Sequence, residues 1–469
     1  MTDRPAARAV RAAAFHRTLW RWHFYAGLIV APCLLVLSLT GAIYLFNDEI
    51  DDAVYPGLRH VASVERALPP SRLIAAARAA HPGAVSRIDL PAAPDRPAIV
   101  TVTPAGSPTL LVSVDPGTAR VLGARDPARA LTGWAETMHG TLMLGTWGDR
   151  LVELAASWAL VLVATGLLLW WPRGRWRVAG VLLPTRRRGR RFWRDLHAPV
   201  GLWAAGLIAF LVLTGLPWAG VQGPLLHRAG AALGIGYPAS YRTENPPESV
   251  PMRTALGRVP WTLERAPMPR SGHAGHAIAS GGADADALAQ VDRVAATAAA
   301  RGIAVGARLY LPTGPRGVYT VLTYPDRPQG QRTLYLDRYT LRPIAEVAYR
   351  DYGWLGRAIE LGVQLHMGNY FGRANQLVML VPCVAIWLLA ISSATMWWRR
   401  RPARGLGAPP PLGPARTGWL VALLVVAGLA MPLFGASLLA IAAGEALWQA
   451  LTQRRSFATS PAHVDPPDP

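Results

Sequence analysis

The sequence predicts an α-helical polytopic membrane protein, built as two repeats of span, external module and span, with two small α+β modules outside the bilayer. Three observations predict it. The chain of 469 residues is 51% hydrophobic and only 16% charged, too apolar for a soluble protein of its size. Its arginines cluster beside apolar runs, as positive-inside loops do. One plan also occurs twice. The stretch His139–Trp171, HGTLMLGTWGDRLVELAASWALVLVATGLLLWW, overlays His366–Trp398, HMGNYFGRANQLVMLVPCVAIWLLAISSATMWW, without a gap. The overlay matches His139 to His366, Gly145 to Gly372, and Trp170–Trp171 to Trp397–Trp398. Few other positions agree, so the repeat is architectural.

Charge narrows the class further. The formal charge is +20, all of the basic excess being arginine. Nine arginines against one acid lie in the 172–197 loop, five in the N-terminal segment up to His23 and five in Arg399–Arg416. The segment 47–150 balances ten arginines against eleven acids. Such a distribution describes cytoplasmic loops and an external segment, and it argues against nucleic acid as partner. Cys33 and Cys383 both lie inside apolar runs, where packing rather than a disulfide or metal pair is expected.

In chain order, residues 1–48 read as a basic cytoplasmic N-terminus and span one. Phe24–Phe46 carries no charge and is long enough to cross a hydrocarbon core. It is too long for a signal-peptide core and lacks an A-x-A site, so the span is expected to stay uncleaved. Residues 49–132 form the first external module: a helix opened by Ser71, then strands AIVTVTP, TLLVSVD and ARVLGA, with a turn at Pro116–Gly117. Residues 133–172 carry His139 and span two, and 173–197 are a basic cytoplasmic loop. Span three occupies 198–221. Residues 222–350 comprise a Pro- and Gly-rich external linker and the second module, with helix ALAQVDRVAATAAARG and strands ARLYLP, GVYTVLTYP and RTLYLDRYTLRPIAEV. Residues 351–399 carry His366 and span four, and 400–417 return to the cytoplasm. An apolar stretch at 418–449, broken by Pro432 and Gly435, is expected to be a hairpin rather than one bent span, and 450–469 form a tail. Glu136 and Glu360 in 133–144 and 352–366 argue against lipid-facing burial there.

Spans one and three also match. His23 is followed by Gly27, Thr40 and Gly41, and His197 by Gly201, Thr214 and Gly215, at offsets of 4, 17 and 18 in both. Two-fold repetition then pairs His23 with His197 near the cytoplasmic edge and His139 with His366 near the outer edge. One histidine at a membrane boundary is ordinarily an interfacial hydrogen-bonding residue. Four at matched offsets point instead to haem iron held between imidazoles on facing helices. Glycines four residues after His23 and His197, and six after His139 and His366, leave room for a flat macrocycle. The expectation is two bis-histidine haems, one near each face. His16, seven residues before His23, is a surface residue or an alternative ligand. The Trp pairs read as interfacial belt residues. His273 and His276 in the linker make a weak H-x-x-H, and His81 and His227 carry no pattern.

The runs WRWHFYAGLIVAPCLLVLSLTGAIYLF, HGTLMLGTWGDRLVELAASWALVLVATGLLLWWPR, DLHAPVGLWAAGLIAFLVLTGLPWAG and ELGVQLHMGNYFGRANQLVML resemble the PepSY-associated transmembrane family over nearly all of residues 15–402. The external modules resemble PepSY domains. The resemblance implies a multi-pass protein of the bacterial inner (cytoplasmic) membrane with its PepSY-like domains in the periplasm. It implies kinship with inner-membrane reductases of iron–siderophore complexes that carry two b-type haems, and matches His23, His139, His197 and His366 to the family's membrane histidines.

The leading expectation is therefore an oxidoreductase that passes electrons through haem b to a ferric siderophore or other ferric chelate outside the membrane. Fe(III) held by hard oxygen donors loosens on reduction. No G-x-G-x-x-G follows a strand, so electrons are expected from quinol or a separate cytoplasmic reductase. The alternative is a non-catalytic regulator whose PepSY-like domains bind a peptide or a peptidase. A transporter is the third class; it is disfavoured because spans one to four are read as free of internal charge and of obvious broken helices, although the Pro432 break keeps it open.

Overall fold

The computed structural model describes residues 4–172, 181–184, 189–237, 283–312, 317–402, 407 and 418–458. Four of its helices contain stretches long and apolar enough to cross a membrane: Ala12–Leu45, Gly145–Trp170, Arg191–Trp218 and Arg373–Trp398. The first lies in α1 (Arg4–Leu45), which runs unbroken through Pro32. The others are α6 (Gly145–Trp170), α7 (Arg190–Gly215, extended by a 3₁₀ turn to Trp218) and α12 (Arg373–Trp398). Neighbours in chain order pack as pairs, α1 with α6 and α7 with α12, and contacts of α6 with α7 and of α1 with α12 close a ring of four. Small residues fill its interior: Ala26, Ala155, Ala159, Ala204, Ala205 and Ala385 are all buried. They let the backbones approach, which is how helices associate where lipid removes the hydrophobic drive.

Outside the bundle, α2 (Asn47–Val54), α3 (Pro56–Arg59) and α4 (Pro70–Ala80) precede strands β1 (Ala84–Asp89), β2 (Ala98–Thr103), β3 (Leu110–Val114) and β4 (Val121–Arg125). After α8 (Gln222–Ala232), α9 (Ala283–Ala289) and α10 (Val291–Ala299) come β5 (Arg308–Tyr310), β6 (Val318–Thr323), β7 (Arg332–Asp337) and β8 (Pro343–Ala348). The two expected modules form one eight-stranded antiparallel sheet in the order β4-β3-β2-β1-β5-β6-β7-β8. The seam is β1 on β5, with Arg87 opposite Tyr310 and Asp89 opposite Arg308. One core serves both halves: Leu73 and Ala77 of α4 and Val291 and Val294 of α10 pack with Val100, Val112, Val321 and Leu334 on a single sheet face. The halves repeat one turn as well. Asp115 accepts from the backbone N–H groups of Gly117 and Thr118, Asp337 from those of Tyr339 and Thr340, and a left-handed residue (Ala119, Leu341) follows each.

Ser71 does not open α4. Pro70 does, its fixed φ suiting the first turn. Ser71 instead donates its backbone N–H and its hydroxyl to Asp292 of α10, at 2.8 and 2.5 Å, so a carboxylate of the second half holds the helix of the first. Asp292→Ala is expected to cost about 2 kcal/mol, the worth of two hydrogen bonds to a charged group less what water recovers. Thermal unfolding of the detergent-purified protein checks it.

The reading of the spans as uncharged also needs correction. Glu153 lies inside α6, 2% exposed. It accepts from the N–H groups of Val221 and Gln222, the free donors at the start of α8, at 2.8 and 3.1 Å. A buried carboxylate is tolerated there because those donors solvate it. The C-terminal apolar stretch is a hairpin, α13 (Gly418–Ala430) and α14 (Pro432–Ala458), crossing tightly at Gly428 and Gly435. Its tip meets α6 halfway along, where Trp158 donates to Ser437 at 3.1 Å and its ring meets Phe434. Cys33 and Cys383 are free thiols.

Candidate functional site

Two further helices, α5 (Leu131–Thr141) and α11 (Trp354–His366), lie between the sheet and the bundle and carry His139 and His366 in their last turns. Buried carboxylates tie both to the sheet domain. Asp51 of α2 accepts from Thr132 of α5 at 2.9 Å and from Arg125 of β4 at 2.7 Å. Glu360 of α11, fully buried, accepts from Tyr237 and Gln331, both at 2.8 Å. Beside Asp51, Arg96 and Arg59 clamp Asp52, and the Arg96 hydrogen bonds hold its carboxyl well below the usual range.

The four histidines meet in two pairs. His23 and His197, toward the far end of the bundle from the sheet, have ring centroids 6.4 Å apart with perpendicular planes. His139 and His366, at the sheet end, are 6.5 Å apart with planes at 85°. His23 and Thr40 sit on the same helix, α1, and His139 docks on Thr40. The rise of α1 between them separates the pairs by about 25 Å along the axis.

Each imidazole rests on a hydroxyl of the adjoining helix in its own repeat. His23 Nδ1 is 3.0 Å from Thr165 Oγ1, and His139 Nδ1 is 3.1 Å from Thr40 Oγ1. His197 Nδ1 is 3.0 Å from Ser392 Oγ, and His366 Nδ1 is 2.9 Å from Thr214 Oγ1. Every one of these hydroxyls already donates its proton to a helix carbonyl: Thr40 to Val36, Thr165 to Val161, Thr214 to Phe210 and Ser392 to Leu389. It can therefore only accept, and Nδ1 must carry the hydrogen. That leaves Nε2 of all four rings as an unprotonated donor atom, the form a metal takes. All four side chains are half-buried, so none is closed over.

The spacing fits a metal between each pair. Two metal–imidazole bonds of about 2.0 Å and two ring radii of about 1.1 Å span about 6.2 Å. An edge-to-face contact of two imidazoles also falls within about 4.5–7 Å. It does not explain why four Nδ1 atoms are all engaged in the same way while each Nε2 is left without a hydrogen-bond partner among the described residues. Gly27 and Gly201 keep the helix surface beside His23 and His197 low: a Cβ there would meet Leu162 and Leu389 at 3.8 and 3.5 Å. Gly145 and Gly372, which the sequence suggests leave room for a macrocycle, stand at the starts of α6 and α12. Both adopt positive φ, 56° and 59°, in the turns that lead into α6 and α12, with nothing within 4 Å of a Cβ. They shape a turn, and glycine is used because it enters that region without strain.

The other described histidines stand apart from the pairs. His16 is on α1, about 10 Å beyond His23 along the axis. His81 caps the C-terminus of α4, and His227 stacks on Tyr237 at 5.7 Å. His273 and His276 lie outside the described residues. At the far end Arg400 packs over Trp20 at 4.6 Å and Arg401 over Trp398 at 3.5 Å.

Four helices of spanning length under one antiparallel sheet, with two pairs of half-buried imidazoles between them, define a polytopic membrane protein. The family described as PepSY-associated TM region matches residues 20–400, and the chain belongs to it. No curated relative matches the chain. The C-terminal hairpin, from residue 418, falls beyond the family match.

Proposed function

We propose that this is an inner-membrane electron-transfer protein that holds two b-type haems and reduces a ferric siderophore or another ferric chelate on the periplasmic side, releasing Fe(II). The observation that carries the reading is the pair of imidazoles at each end of one bundle, at a spacing that suits an iron between them. His23 and His197 would hold one haem, His139 and His366 the other. Bound haem supplies a one-electron carrier whose potential follows its axial ligands, their hydrogen bonds and burial.

The chain's own residues do the rest. Thr40, Thr165, Thr214 and Ser392 hold the rings in one tautomer. Small buried side chains line the bundle interior between the two levels. Asp51 and Glu360 tie the helices of the outer pair to the sheet domain, where the chelate would arrive. The arginine-rich loops favour a cytoplasmic far end and a periplasmic sheet, in which case electrons would enter from quinol or a cytoplasmic reductase.

The test is a visible spectrum of the detergent-purified protein, oxidised and then dithionite-reduced, with a pyridine haemochrome count. A sharp reduced b-type spectrum, two haems per chain, and reoxidation on adding a ferric chelate are expected. A colourless protein, expressed with ample haem, would remove the reading and leave a PepSY regulator in its place.

A further inference from the structure

The histidines have a common receptor. Each Nδ1 faces a hydroxyl with a leucine three residues before it in the chain: Thr40 with Leu37, Thr165 with Leu162, Thr214 with Leu211, Ser392 with Leu389; for His139 the Leu37 carbonyl also lies 3.0 Å from Nδ1. The residue after the hydroxyl is glycine in three cases, and it lies under the ring. A Cβ at Gly41 would stand 3.1 Å from His139 Cε1, one at Gly166 3.2 Å from His23 Cε1, and one at Gly215 3.7 Å from His366 Cε1. The four sites read LSLTG, LVATG, LVLTG and LAISS. The pattern Leu-x-x-Thr/Ser-Gly/Ser thus occurs once in each of the four spanning helices.

We propose that Thr40, Thr165, Thr214 and Ser392 are positioning residues for electron transfer. Each fixes the Nδ1–H tautomer of one histidine, presents Nε2 as the ligand, and sets the electron density that the imidazole gives to its metal. This rests on the di-haem reading and deepens it. The argument is one of proton supply. A threonine in a helix hands its hydroxyl proton to the carbonyl four residues back, as Thr40, Thr165 and Thr214 do at 2.8, 2.6 and 2.7 Å. Its oxygen then accepts only, and a ring nitrogen facing it must donate. A donated Nδ1–H makes the other nitrogen more basic, and outer partners of this kind govern both metal affinity and ligand strength. A more basic imidazole favours ferric over ferrous iron, so the hydroxyl holds the potential down.

The LAISS receptor of His197 departs from the other three. Serine lacks the methyl that restricts threonine at χ1, and Ser392 hands its proton to a carbonyl three residues back rather than four. The far-end pair is therefore held by one stiff and one looser receptor, and the sheet-end pair by two stiff ones. This is a built-in difference between the two sites.

The experiment is a potentiometric titration of the purified haem-loaded protein, following the two spectral transitions in Thr214→Val, Thr214→Ser and Ser392→Ala. Valine keeps the shape of threonine and removes the acceptor. In Thr214→Val the sheet-end transition is expected to move to higher potential while the other stays, with haem at that site lost about tenfold more readily. Thr214→Ser should return it to the wild-type value, and Ser392→Ala should move only the far-end transition. Equal shifts in Thr214→Val and Thr214→Ser would make the role steric and overturn the proposal, as would unchanged potentials in Thr214→Val and Ser392→Ala. A wild-type protein without haem fails the functional reading itself, which is a separate result.

Discussion

His366→Ala is expected to remove about half of the reduced b-type absorbance, with the other half unchanged in shape and potential. The geometry makes the loss selective. His366 faces His139 at 6.5 Å, and about 25 Å of bundle separates that pair from His23 and His197. On the di-haem reading, removing one imidazole would take away one of the two residues that hold that haem and leave its partner still anchored through Nδ1 on Thr40. His139→Ala should give the same spectrum. The double variant should be no worse than either single, because residues that hold one group act as a unit and their losses do not add. His23→Ala and His197→Ala should remove the complementary half. His227→Ala, whose ring stacks on Tyr237, should leave both halves intact. Pyridine haemochrome counts and reduced-minus-oxidised spectra measure this directly, and full retention of haem in both His139→Ala and His366→Ala would end the assignment of the sheet-end site.

Much of this arrangement is legible in the chain, though unevenly. The spans are legible because about 20 apolar residues in a row have few other uses. The histidines stand out because four of them fall at matched offsets in the internal repeat. The receptors are legible only in part. Comparing span one with three finds Thr40–Gly41 and Thr214–Gly215, each at the same offset from its own helix's histidine. Comparing span two with four aligns Thr165 with Ser392, at equal distances from His139 and His366, yet shows no identity there. The role appears once antiparallel neighbours are laid side by side, since each hydroxyl serves the histidine of the helix beside it. The seam of the sheet is not legible for a different reason. Strand β1, AVSRID, mixes serine, arginine and aspartate among its apolar residues, which reads as a loop until Arg87 and Asp89 are seen opposite Tyr310 and Arg308. Glu153 is plain in the sequence of α6. Its tolerance there is not, because the donors that solvate it come from the distant start of α8.

Gly148→Ala and Gly353→Ala are expected to be among the most damaging small substitutions outside the histidines, at about 3 kcal/mol each, the upper end for overpacking against atoms that cannot move. A Cβ at Gly148 would collide with the Thr141 carbonyl, where the chain turns from α5 into α6. One at Gly353 would collide with the backbone of Ile235, which packs against the start of α11 and accepts there from Leu355 N–H at 3.0 Å. In both places the obstacle is backbone, and relief requires moving the helix that carries His139 or His366. The sheet-end transition should therefore broaden or disappear at temperatures where the far-end transition survives. Gly41→Ala makes the useful contrast. Its Cβ would meet only the edge of the His139 ring at 3.1 Å, and a ring can yield by a few tenths of an ångström. That variant should keep its thermal midpoint within a few degrees and alter the spectrum of the sheet-end site alone. A Gly148→Ala protein with wild-type stability and two unaltered transitions would mean that the α5–α6 turn yields, and that Thr40 and Leu37, rather than this turn, determine where His139 stands.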